Sequence, residues 1–388
     1  MVTVFLAGVA VAANRFKVPP VMQSLMADLS VNRVTAGWLM SISSVAMVVL
    51  ALPAAFALTR LGLKVSGLLA LGCTIIGAAI GALAGDSATL LLGRTIEGIG
   101  GALIGIVGPA AISAWFQPQE RGVPMGIWAA WVPLGNVLIF NAAHPIQAAL
   151  GWQATWWFGA ILALLAFALT AVILAEPPGF ERAGGGASDT FARRLRNRST
   201  WLLAVIFGTF GFSLISYNTW APSYLTETLS IAPVVASFYA SLMFMAAIPG
   251  NIIAGWALNR TQHRYRLLFL TFAATTILFA GSFHLGSLGL VGPYMILLGF
   301  VSNFIPTAVF TLAPETMDHP AFAGQALAIA TMGSGLGALL GPPTVGAISG
   351  LAGWAAASLC LVVVAGCGTA VAFFAARQME NRNSLRRF

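Results

Sequence analysis

The chain has 388 residues, 59% of them hydrophobic and only 8% charged, with a formal net charge of +8. An average soluble domain carries about 25% charged residues, so an ordinary water-soluble domain is excluded. The basic excess acquires meaning only from where it falls.

Twelve apolar stretches follow one another, coarsely 1–29, 34–58, 65–85, 88–115, 122–148, 152–175, 201–225, 232–258, 267–285, 288–313, 322–350 and 352–377. A helical crossing needs about 20 apolar residues, and these stretches are too long and too apolar for barrel strands. The expected fold class is all-α integral membrane, with twelve transmembrane helices. No basic n-region or A-x-A site marks a cleavable signal, so the first span is expected to act as its own insertion signal.

Charge placement orients these helices. Arg60, Lys64, Arg121, Arg260, Arg264, Arg266 and the arginines within 182–198 and 377–387 fall on one side. Arg33 alone lies in a loop on the other side, while Arg15, Lys17 and Arg94 lie inside spans. The positive-inside rule makes the rich side cytoplasmic. Both termini are then expected in the cytoplasm of a multi-pass cell-membrane protein, in the inner membrane if the cell is Gram-negative. The basic balance is a topology signal and not a nucleic-acid footprint.

Residues 176–200 interrupt the pattern with Pro177-Pro178, a triple glycine at 184–186 and five arginines. This reads as a flexible linker whose basic end faces anionic membrane lipid. It divides the chain into a six-helix bundle at 1–177, a cytoplasmic linker at 178–200 and a second six-helix bundle at 201–388. The bundles echo each other. Ala55-Phe56-Ala57-Leu58-Thr59-Arg60 parallels Gly255-Trp256-Ala257-Leu258-Asn259-Arg260, and Pro109 has a counterpart in Pro306. Such a parallel pseudo-repeat is the internal symmetry of certain transporters, whose substrate lies between the halves.

The first span carries the chemistry. Each cation near bilayer depth costs about 2.5–3.5 kcal/mol or more, and an anionic substrate is a natural compensation. At 100° per residue Arg15 and Lys17 point apart, whereas Asn14 and Lys17 share one face and Arg15, Pro19 and Met22 another. Pro19 and Pro20 remove the donors for the carbonyls of Arg15 and Phe16, so the helix should kink or unwind there. Two roles are open for Arg15. It either holds a small planar anion in the cavity with its bidentate fork, or pairs internally with Glu97 or the freed carbonyls. Lys17 either faces the same cavity, snorkels outward or faces a neighbouring helix.

Arg94 and Glu97, three apart in the fourth span, are spaced to pair. They form either a switchable proton site or a static ion pair. Gly98, Gly101, Gly105 and Gly108 in that helix, like Gly333, Gly337 and Gly341 in span eleven, read as helix-packing stripes. The second half offers no intramembrane charge. Its candidates for substrate contact are Tyr217, Asn218 and Asn303, with Trp220, Asn251 and Gln325 as further polar or aromatic groups. Cys73, Cys360 and Cys367 read as small buried hydrophobes. The dispersed histidines His144, His263, His284 and His319 show no metal-ligand or catalytic spacing, so neither an enzyme nor a bound metal or cofactor is expected.

These features resemble the major facilitator superfamily. Its loop between spans two and three reads G-x-x-x-D-R-x-G-R-[RK]. Here Ala55, Arg60, Gly62 and Lys64 are in register, Thr59 replaces the acid and Leu63 the second basic residue. Arg94 and Gly98 meet the fourth-span pattern R-x-x-x-G, and Trp115 to Gly122 resembles the loop between spans four and five. The resemblance implies two bundles rocking about a central cavity, with gating roles for Arg60, Gly62, Lys64, Pro19, Pro20 and Arg260. It also implies proton coupling at Arg94 and Glu97. Asn14-Arg15 ahead of a proline is similar to the cyanate and nitroimidazole permease group, and symporters of sugar acids and monocarboxylates also place a basic residue in span one. Drug exporters carry G-x-x-x-G-P in span five, where this chain has Trp131-Val132-Pro133-Leu134-Gly135-Asn136. The expected function is secondary transport of a small anion by alternating access, partnered by protons or a counter-anion. The alternatives are a hydrophobic-compound exporter using Trp38, Trp128, Trp131 and Trp220, and a transporter-like sensor or assembly partner.

Overall fold

The computed structural model describes residues 2–50, 53, 58, 60–117, 120, 122–175, 198–317 and 323–385, and all regular structure among them is helical. Ala55, Phe56, Ala57, Thr59, Pro118, Gln119, Arg121 and linker residues 178–197 lie outside the described residues. Among those described, eight segments are long and apolar enough to cross a membrane, and the last of them, Gln325–Gln378, covers two crossings. Shorter, interrupted or less apolar helices complete the twelve.

Span one is α1 (Val2–Arg15) and α2 (Val18–Asp28), and span two contains α3 (Arg33–Ser41) and α4 (Ser43–Val49). Spans three and four are α5 (Leu63–Ala82) and α6 (Ser87–Trp115). Span five is α7 (Gly122–Ala129) with α8 (Trp131–Leu150), and span six is α9 (Trp152–Ile173). The second half runs through α10 (Arg198–Leu229), α11 (Pro233–Arg260), α12 (Arg264–Ala280), then α13 (Leu288–Ser302) with α14 (Phe304–Glu315). Finally α15 (Ala323–Leu385) makes spans eleven and twelve, bent where Gly353 takes φ 80°. Residues 198–200, expected in the linker, already belong to α10.

Proline explains several interruptions. Pro133 and Pro306 cannot donate to the carbonyls four residues back, and the chain breaks at Ala130 and Asn303. Pro109 behaves differently: α6 continues through it. Its pairing with Pro306 therefore holds in sequence and not in helix geometry.

The repeat is clearer in backbone strain. Ser30 and Ser230, the non-glycine residues with positive φ among those described, follow the first span of each half at φ 50° and 53°. Behind α2 the Ser30 and Val31 amides bond Ala27 and Met26, which is the Schellman arrangement. Gly151 and Gly353, both with φ near 80°, precede Trp152 and Trp354 at the fifth-to-sixth connection of each half. At the loop before α6, Asp86 caps the helix, and hydrogen bonds from Thr89 hold its carboxyl below the usual range.

Within each half the helices approach to backbone contact. A Cβ on Gly337 would lie 1.9 Å from the Gly208 carbonyl oxygen, and one on Gly333 2.1 Å from that of Ala204. Span eleven therefore rests directly on span seven, without side chains between them. Between the halves, contact concentrates on the face opposite the termini. There Arg33 donates to Glu227 Oε2 at 2.7 Å, Trp354 Nε1 donates to the same oxygen at 3.0 Å, and Arg33 lies 4.7 Å over the Trp354 ring. Gly37 meets the backbone of Pro342-Pro343 there, with no room for a Cβ. Deeper in, Phe244 of span eight wedges edge-on between Phe16 and Phe140 of the first half, at 6.2 and 5.2 Å. The space between the halves is thus shut on that face.

Overpacking a tight helix contact costs about 1–3 kcal/mol. Gly337→Ala is expected to lower the melting temperature in detergent, while Gly366→Ala, where a Cβ meets nothing within 4 Å, leaves it unchanged.

Candidate functional site

The break in span one organises the site. The chain leaves the helix at Phe16-Lys17, and α2 restarts at Val18 with Pro19 in its first turn, where an absent amide proton does least harm. The stranded carbonyls are met from span four. Arg94 Nη2 donates to Arg15 O at 2.6 Å, Nη1 to Asn14 O at 2.8 Å, and Nε to Leu39 O at 2.9 Å. One guanidinium therefore ties spans one, two and four together.

Its charge is balanced by Glu97 one turn along, whose Oε2 accepts from Arg94 Nη1 at 2.5 Å. Glu97 Oε1 accepts from Lys17 Nζ at 2.6 Å. Lys17 Nζ also donates to Asn14 Oδ1 at 2.9 Å and lies 4.9 Å over the Trp156 ring. Lys17 and Arg94 are 0% exposed and Glu97 4%, so the cluster is desolvated. Breaking such a network by removing one partner is strongly destabilising.

Neighbouring glycines make room for it. A Cβ on Gly77 of span three would fall 2.7 Å from Glu97 Cγ, and one on Gly159 of span six 2.2 Å from Asn14 Oδ1. The Gly159 carbonyl accepts from Asn14 Nδ2 at 2.9 Å. Gly77, Trp156 and Gly159 are neighbours of the cluster that the sequence does not reveal, because their signal is a contact between distant spans.

Arg15 points the other way, as the helical angle requires. Its Nη2 reaches Ser44 Oγ at 3.4 Å, and among the described residues it has no carboxylate partner. It lines a narrow pocket with Val11, Ser43, Met47, Gly98 and Gly101, bordered by Asn14 and Glu97. The free centre has room for about one water molecule in this conformation. The structure thus separates the three cations. Lys17 is the internal partner of Glu97, and Asn14, at the edge of the pocket, is its hydrogen-bond acceptor. Arg15 does not pair with Glu97.

The second-half candidates are not among the residues lining this pocket. Tyr217 is buried among Phe279, Phe283 and Tyr294, with its hydroxyl 3.5 Å from Met295 Sδ, inside the second bundle. Asn303 Nδ2 donates to Gly299 O at the break in span ten. Asn251 accepts from Thr307. Asn218 is buried, and its Oδ1 has no hydrogen-bond partner among the described residues.

The tryptophans of the exporter alternative are largely structural. Trp128 fills the gaps at Gly8 and Gly108 and stacks on Trp131, and Trp220 donates to Pro342 O. Of the glycine stripe in span four, Gly98 packs on Ser43 and Gly108 on Trp128, Gly101 lies against Val11, and Gly105 faces open space. On the terminus-bearing face, Gly62 at φ 85° starts α5 and Arg260 lies 4.5 Å over Trp256. Arg60 is exposed there and Lys64 half-buried.

Residues 4–324 match the Major Facilitator Superfamily. The chain belongs to that superfamily. It is 22% identical over 303 residues to the hexuronate transporter of Bacillus subtilis (strain 168), covering 74% of this chain and 71% of that one. It is 24% identical over 285 residues to the D-galactonate transporter of Escherichia coli O6:H1, covering 66% and 65%. The fold superposes on a bacterial homologue of the human lysosomal transporter Spinster in inward-facing conformations. TM-scores are 0.80 occupied and 0.82 unoccupied, at 16% identity, covering 97% of this chain and 96% of that one. This superfamily member is a multi-pass secondary transporter and not an enzyme.

Either cation leaves Glu97 with the other when it is removed, but removing Arg94 also strands the carbonyls of Asn14, Arg15 and Leu39. Arg94→Met is therefore expected to destabilise by about 3–5 kcal/mol and Lys17→Met by less, as read from thermal denaturation in detergent.

Proposed function

We propose that this protein carries a small organic anion across the cell membrane by alternating access, coupled to protons, with Arg15 as the substrate's counter-charge. The observation that carries this reading is the asymmetry among the three cations inside the first bundle. Two are neutralised or tied by Glu97 and main-chain carbonyls, and one lines a pocket with a single weak hydroxyl contact. The hexuronate and galactonate named for the relatives are organic anions, which supports the same reading.

Coupling follows from charge. Arg15, Lys17, Arg94 and Glu97 together carry a formal +2. A proton on Glu97 raises this to +3 and frees Lys17 from its ion pair, so the cluster attracts an anion more strongly. By linkage the anion then favours the proton, which makes symport the natural mode. Arg94 holds the broken helix throughout, and Pro19 and Pro20 keep that break in place as the bundles rock. Gly62, Arg60, Lys64 and Arg260 serve the terminus-bearing face, which we assign to the cytoplasm from its positive charge.

Uptake into proteoliposomes tests this. Arg15→Gln is expected to weaken anion uptake about 10- to 100-fold, the worth of charge-assisted hydrogen bonds. Glu97→Gln is expected to lose stimulation by an inward proton gradient while retaining anion exchange. Wild-type uptake indifferent to the proton gradient removes the coupling. Transport of lipophilic cations, unaffected by Arg15→Gln, returns the exporter alternative.

A further inference from the structure

We infer that the Arg15 pocket takes a monoanion with a thin, flat, apolar body, of the aromatic or unsaturated monocarboxylate class, and not a polyhydroxylated acid. This rests on the anion reading of Arg15 given above and concerns the rest of the pocket.

The polar groups around Arg15 are already engaged. Asn14 Nδ2 donates to Ala10 O and Gly159 O, and its Oδ1 accepts from Lys17. Both Glu97 oxygens are held by cations. The Ser43 hydroxyl donates to Met40 O. What remains for an occupant is one guanidinium, with the Ser44 hydroxyl beside it at 3.4 Å. That inventory suits one negative charge and few further polar groups.

The other walls are apolar or bare. Val11 and Met47 supply carbon surface. Gly98 and Gly101 line the pocket without side chains, and a Cβ added at Gly101 would meet only Val11 Cγ1, at 4.0 Å. Span four therefore presents a side-chain-free strip one turn beyond Glu97, against which a planar body can lie. The movable wall is Met47, whose unbranched thioether has three rotatable bonds. Its Cβ lies 3.5 Å from where a Cβ on Gly335 of the opposite half would stand. Reorienting Met47 as the halves separate widens a slot, and a thin body enters a slot before a bulky one.

A hydroxyl pressed into such a slot loses its water without gaining a partner. A pocket built for carbon discriminates against one added hydroxyl by about 100-fold. A sugar acid carries several. An inorganic anion such as cyanate satisfies the guanidinium but leaves the apolar wall unused.

Thermal-shift titration of the full-length protein in detergent decides this, with benzoate, galactonate and cyanate as probes on wild type, Arg15→Gln and Gly101→Val. Benzoate is expected to stabilise wild type, with galactonate at least about 100-fold weaker and cyanate weaker than benzoate. Arg15→Gln abolishes the benzoate shift. Gly101→Val keeps the unliganded melting temperature but weakens benzoate at least tenfold, and Gly101→Ala replaces it if valine disturbs folding. Galactonate or cyanate binding as tightly as benzoate through Arg15 overturns the substrate class and leaves the anion reading standing. Benzoate affinity unchanged in a folded Gly101 variant also overturns it. Shifts that survive Arg15→Gln for every anion remove the anion reading itself.

Discussion

Everything at the centre of the first bundle depends on one buried charge cluster. Lys17 and Arg94 grip opposite oxygens of Glu97 in a region sealed from water. Taking three charges out of water is costly, and the attraction among them compensates only when geometry is tight and the remaining donors are used. Here they are used: Lys17 also reaches Asn14, and Arg94 reaches three main-chain carbonyls. The cluster and the broken helix are therefore one device. Proline strands a carbonyl, the arginine meets it, and the glutamate balances the arginine.

The same device explains why a charge is left over. Residues two apart on a helix face opposite ways, so the lysine that completes the cluster sends Arg15 toward the pocket. A transporter needs a counter-charge that is stable without substrate yet available to it. Ser44 at 3.4 Å and the ring of Phe16 at 5.4 Å are companions of that kind for Arg15. The pocket faces the boundary between the halves through Met47, so changes at that boundary act directly on the site.

Contacts within and between halves differ in kind. Inside each bundle, helices touch backbone to backbone at Gly337, Gly299 and Gly93, which makes the bundles rigid. Between them, the face opposite the termini is held by Arg33, Glu227 and Trp354, partly exposed groups. Partly exposed ion pairs are worth little individually and can be exchanged as the bundles move. Rigid halves joined by replaceable contacts are what a rocking mechanism requires.

The sequence by itself determined the helical class, the twelve crossings and the superfamily, because length, hydropathy and charge placement act locally along the chain. It also determined the break ahead of Pro19-Pro20, from the missing proline donors, and, from helical spacing, the divergence of Arg15 from Lys17 and the pairing of Arg94 with Glu97. Tertiary structure alone decided that Lys17 belongs to Glu97 and that Arg94 meets the carbonyls of a helix 79 and 80 residues away in sequence. It alone placed Tyr217 in the core of the second bundle and made room for the cluster with Gly77 and Gly159. A buried charge selects its partner by distance in space, and no spacing along the chain records which faces of different helices meet.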